Sequence, residues 1–123
     1  MTFVSILSGA AIFLDANSFI YHFTNDSAYG PACTRLVKRV ELRDLSGFTS
    51  AHVLADVAHR LMTLEASRLL GRPQTGMAYY LNKHHAEIQR LSGFRQAIVD
   101  LAAGSLQILT IPTALVVTAA ALS

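Results

Sequence analysis

A chain of 123 residues, 52% hydrophobic and only 15% charged, can bury one small core and is far from the composition of a disordered segment. Its formal net charge of +2 is too small to argue by itself for a nucleic-acid partner. A single cysteine, Cys33, excludes an intrachain disulfide and fits a reducing, cytoplasmic compartment, and no Cys–His spacing suited to zinc is present.

Met1 to Leu14 is apolar but lacks the basic start of a signal peptide, since the first lysine or arginine is Arg35. The run Ala10 to Leu14 predicts a strand buried on both faces, as in a parallel sheet. It ends abruptly in Asp15. Phe19, Ile20 and Phe23 then recur at helical spacing, which predicts a helix over Asn17 to Phe23 capped by Asn17 or Ser18. Asp15 is therefore expected at the carboxyl end of a buried strand, beside a helix N-terminus, on the rim where open α/β sheets bind ligands. A carboxylate there is either a cap or turn residue, a common role for aspartate, or a ligand for something cationic.

A second helix is expected from Ala28 to about Val40, entered through a turn with Asp26 or Ser27 as cap. Its buried stripe reads Tyr29, Cys33, Leu36, Val37 and Val40, with Arg35, Lys38 and Arg39 on the other side as a solvated basic face. Leu45 to Thr49 reads as a second strand, with Gly47 tolerated within it. Thr49 or Ser50 caps a third helix over Ala51 to Ala66. On that helix His52, Asp56 and His59 share one face, without the His-Glu-x-x-His pattern of zinc proteases. Gly71 to Gln74 breaks the chain. A short helix over Thr75 to Leu81 and a longer one from His84 to Ala103, with a kink or division at Gly93, bring it to Gly104. Leu106 to Ile111 is the third predicted strand, and Pro112 opens a last, alanine-rich helix. Leu106 to Leu122 is nearly all apolar, but division by Pro112 into strand and helix explains it better than a membrane span. Strands alternating with helices, and no hairpin signals, predict one α/β domain with a parallel sheet covered by helices.

Two stretches carry a resemblance. Phe13-Leu14-Asp15-Ala16-Asn17-Ser18-Phe19-Ile20-Tyr21-His22-Phe23 resembles the opening motif of PIN-domain proteins, among them the VapC-like toxins of toxin–antitoxin pairs. Gly47 to Met62, GFTSAHVLADVAHRLM, is similar to the second motif of that family. The resemblance implies a three-layer α/β/α fold and a ribonuclease that hydrolyses RNA with one or two Mg²⁺ or Mn²⁺ ions on a carboxylate cluster. Asp15 matches the first acid, Asn17 the small polar residue that supports it, and Asp56 the position of the second acid. The implied partners are an RNA substrate and an antitoxin-like protein. Oxygen ligands suit hard divalent ions, and such an ion both generates a nucleophilic water and neutralises developing charge.

Two departures from the family bear on activity. The second acid is usually glutamate, and Asp56 is one methylene shorter. The remaining acids of the family lie beyond the alanine-rich helix, past Ser123, and Asp100, mid-helix, is expected to be solvated and no substitute. The sequence therefore reads as an incomplete PIN domain, short of its last strand or strands, with weak or no ribonuclease activity. An open sheet edge and an uncovered apolar face predict self-association or a partner chain. The alternative reading is a catalytically dead remnant that retains only a protein-binding role.

Overall fold

The computed structural model describes residues 6–110. In chain order these form β1 (Ala11–Phe13), α1 (Ala16–Phe23), α2 (Gly30–Glu41), β2 (Ser46–Ser50), α3 (Ala51–Leu70), α4 (Met77–Lys83), α5 (His85–Ile88), α6 (Gly93–Ala103) and β3 (Gln107–Leu109). The strands make one parallel sheet in the order β1-β2-β3. Ile12 pairs with Gly47 and Phe13 with Phe48, while Thr49 pairs with Ile108 and Ser50 with Leu109. The α/β class and parallel pairing agree with the sequence reading. The helix expected after Pro112 lies outside the described residues. Among the described residues no helix is long and apolar enough to cross a membrane.

The register divides the sheet into two unlike faces. Leu14, Gly47 and Thr49 point to one side and are buried, with Ile12 half-buried beside them. Ala11, Phe13, Ser46, Gln107 and Leu109 point to the other and are exposed, with Phe48 half-buried and Ser50, at the strand end, buried among them, while Ile108 is exposed at the margin of the first face. The expectation that the first strand is covered on both faces is therefore corrected: Phe13 is 58% exposed. The cause is the layering: the main core lies against the opposite face. That core joins Leu14 to Phe19, Leu36 and Val40 of α1 and α2, and to Val57 and Leu61 of α3. Removing each of these large side chains from water contributes about 1.5–3 kcal/mol.

Several element boundaries differ from the expected ones for local reasons. α2 starts at Gly30, with Pro31 in its first turn, instead of at Ala28. Asp26 does not cap it. Its Oδ2 accepts from the backbone N–H groups of Ala28 (3.0 Å) and Tyr29 (2.7 Å) and so fixes the turn before the helix. Tyr29 consequently falls out of helical phase and is 46% exposed, whereas Cys33, Leu36, Val37 and Val40 are buried as the stripe requires. α3 runs past Ala66 to Leu70, because Gly71 (φ 63°) supplies the left-handed C-terminal stop. The predicted helix from His84 to Ala103 is two helices. Its second part begins at Gly93, whose N–H donates to Glu65 Oε2 on α3 at 2.8 Å. Gly47 is required rather than merely tolerated, for a Cβ there would stand 2.5 Å from Val40 Cγ1.

His22 links α1 to α2 through a 2.8 Å hydrogen bond between its Nδ1 and Thr34 Oγ1. Burial holds its pKa below the ordinary histidine value, with the negative charge of Glu41 acting more weakly in the opposite sense. Because the unfolded chain takes up the proton first, this histidine's contribution is full above about pH 6.5 and is lost as pH falls through the depressed folded value. Urea midpoints at pH 7.5 and pH 5.5 should therefore differ more for the native protein than for His22→Gln. An equal difference in both would show that His22 does not govern the acid limb.

Candidate functional site

The backbone ahead of Asp15 is held on both sides by the central strand. Leu14 N–H donates to Phe48 O at 2.8 Å, and Leu14 O accepts from Thr49 Oγ1 at 2.9 Å. Thr49 is fully buried, so this hydroxyl bond is shielded from water. Asp15 itself is extended (φ −89°, ψ 175°) and is the N-cap of α1. Its Oδ1 accepts from the Ser18 N–H at 3.0 Å and the Ser18 hydroxyl at 2.9 Å. The expected cap, Asn17 or Ser18, is thus corrected to Asp15, because the helix starts at Ala16, one residue earlier than its apolar spacing indicates. Ser18 instead sits in the first turn and donates back to the cap.

Capping and cation binding are not exclusive for this carboxylate. Among the described residues Oδ2 has no hydrogen-bond partner, so the cap engages one oxygen and leaves the other. Asp15 lines a cleft of about 280 Å³ with Asn17, Ser18, Tyr21, Tyr29, Ala32 and Cys33. The Tyr21 and Tyr29 rings stand side by side there, centroids 5.1 Å apart and tilted by 37°. Burial pushes the Cys33 thiol pKa up, and the carboxylates of Asp15 and Asp26 push it further in the same direction. A protonated, buried thiol is an apolar floor for the cleft, not a nucleophile.

Asp56 is exposed on α3 and does not line this cleft. Arg60, one turn on, connects it to α1. Its Nη1 donates to Asn17 Oδ1 at 3.0 Å and lies 3.9 Å from Asp56 Oδ2. With both side chains about half exposed, the ion pair is weak. The structure therefore places Asn17 beside Asp15, and brings Asn17 and Asp56 to one guanidinium. His52 and His59 are exposed on the same helix. Asp100 is exposed on α6, as expected, and accepts from Gln96 Nε2 at 2.8 Å.

Sequence reasoning missed Arg60 and the tyrosine pair. Arg60 stands four residues after Asp56, a helical ion-pair spacing that the sequence displays. Its other partner, Asn17, is 43 residues away and gives no such signal.

The donor set is all oxygen, which suits Mg²⁺ or Mn²⁺, ions held by as few as one or two carboxylates together with waters and substrate phosphates. The cleft supplies one such carboxylate, Asp15, and Asp56 does not line it. Among the described residues no three His, Cys, Asp or Glu side chains converge to hold a metal. No protein family, curated protein or solved structure matches this chain.

Proposed function

We propose that this domain is a ribonuclease of the PIN kind with slow turnover, acting on RNA with Mg²⁺ or Mn²⁺ held by Asp15, with Asp56 as the second ligand that the resemblance implies. The observation that supports the reading is Asp15, the N-cap of α1 just beyond β1, which lines an open cleft and has one carboxylate oxygen without a hydrogen-bond partner among the described residues. A bound ion would activate a water and neutralise charge developing on a phosphodiester. Asp15 supplies an anchored oxygen, its geometry fixed by Ser18 on one side and by the Thr49–Leu14 clamp on the other. Asn17 fixes the direction of Arg60, whose guanidinium offers a donor to a phosphate oxygen. Slow turnover follows from the count and state of the acids: two carboxylates, one short and already paired with Arg60.

Cleavage of a labelled single-stranded RNA, in Mn²⁺ and in EDTA, tests the reading. Slow cleavage with Mn²⁺, none in EDTA and none by Asp15→Asn are expected. Equal cleavage by the variant would overturn the assignment. Arg60→Gln should weaken RNA binding in EDTA and reduce the slope of log affinity against log salt by about 0.7, the loss of one phosphate contact on a single strand. An unchanged slope would remove Arg60 from the substrate path.

A second reading, a protein-binding module that has lost catalysis, rests on the open sheet face, where Phe13 and Leu109 are 58% and 47% exposed. A second copy or an antitoxin-like chain would cover that face. Sedimentation of the domain over a range of concentrations distinguishes a self-associating face from one that awaits a different partner.

A further inference from the structure

The role given to Asp15 leaves the neighbouring tyrosines without a task. Tyr29 is an aromatic ring left in water beside a carboxylate, on a backbone that is nonetheless fixed: its N–H donates to Asp26 Oδ2 at 2.7 Å. Tyr21 backs it at 5.1 Å in a tilted arrangement, and Tyr29 remains 46% exposed. The floor between them and Asp15 is apolar, formed by Ala32 and Cys33. Tyr21 also walls a second cleft, lined by Arg60, Thr63, Gln74 and the Asp26 carboxylate, whose Oδ2 accepts from the backbone N–H groups of Ala28 and Tyr29. One tyrosine therefore lines both the cleft of Asp15 and the cleft of Arg60.

This arrangement answers a difficulty in the proposed chemistry. An acidic cleft repels a phosphodiester, so the substrate needs attraction from groups flanking the acid. An aromatic face attracts any nucleobase without regard to charge, and a guanidinium attracts the phosphate. We propose that Tyr29, backed by Tyr21, stacks one unpaired base of a single-stranded RNA while Arg60 holds an adjacent phosphate, laying the intervening backbone against Asp15. The substrate class is single-stranded RNA, because a base within a duplex does not offer its face to a side chain. Sequence preference is weak, since every base has a π-face and no base-edge reader is included in the contact. This inference rests on the nuclease reading for its choice of ligand, but its test does not pass through the metal.

The experiment measures binding of a dye-labelled single-stranded hexaribonucleotide by fluorescence anisotropy in EDTA, where cleavage is suppressed. Tyr29→Leu should weaken binding about 5- to 100-fold, the range of base–aromatic stacking, and Tyr29→Phe should stay within about twofold because the ring remains. The native protein should bind an abasic hexanucleotide as weakly as Tyr29→Leu binds the ordinary one, a comparison that needs no variant to fold. Equal affinity for the abasic and ordinary strands would overturn the proposal, as would unchanged affinity in a folded Tyr29→Leu protein. The nuclease reading fails separately, by Mn²⁺ binding that ignores Asp15 in the absence of RNA.

Discussion

Gly47→Ala should destabilise the fold by about 1–3 kcal/mol, the usual cost of forcing one extra methyl group into a filled core. Gly47 is the second residue of the central strand and pairs with Ile12 on the neighbouring β1. A Cβ at this position would stand 2.5 and 2.8 Å from the two γ-methyls of Val40 and 3.2 Å from its Cβ. Val40 cannot yield. It is buried in α2, and a β-branched side chain in a helix has one strongly preferred rotamer. Strand and helix must separate, and the strand that moves is the one that clamps Leu14 through Thr49. Against a total stability of about 5–15 kcal/mol the loss is severe. Urea denaturation measures it. Adding Val40→Ala to Gly47→Ala should recover part of the stability, although Val40→Ala alone is harmful; strict additivity of the two would contradict the contact.

Asp15→Asn should have the larger consequence for the proposed function and little for the fold. Asparagine is as good an N-cap as aspartate, so the bonds from the Ser18 N–H and hydroxyl to Oδ1 are kept. What changes is Oδ2, which becomes an amide donor, and the negative charge at the helix N-terminus, worth about 0.3–1 kcal/mol. Metal-dependent cleavage should fall to background while the thermal midpoint moves little. Asp15→Ala would be a poorer probe, since loss of the cap costs about 0.5–2 kcal/mol and mixes folding with chemistry.

The strand–helix alternation was legible because each element carries its own period and its own end signals. The apolar run before Asp15 and the glycine at position 71 are of that kind. What could not be read depends on contacts distant in sequence. The one-sided burial of the first strand depends on which face of the described sheet the core helices cover, which composition does not encode. The division of the predicted helix from His84 to Ala103 was expected at Gly93, but its cause, a carboxylate 28 residues earlier, was invisible. The same applies to the site. Asp15 and Asn17 were legible from a strand that stops in a carboxylate, and Asp56 from its place on the third helix. Arg60 joined them only when folding brought Asn17 within 3.0 Å of it. Tyr29 was assigned to a buried stripe because the helix was started too early, and its exposure is what gives the cleft an aromatic wall.

The proposed metal site rests on the second oxygen of Asp15. Titration of Mn²⁺ into the protein, followed by loss of the free-ion electron paramagnetic resonance signal, tests it most directly, with circular dichroism confirming that the native and Asp15→Asn proteins are equally folded. The native protein should deplete free Mn²⁺, and Asp15→Asn should leave it untouched. Equal depletion by both, or none by the native protein, would contradict that site and leave Asp15 as a helix cap alone.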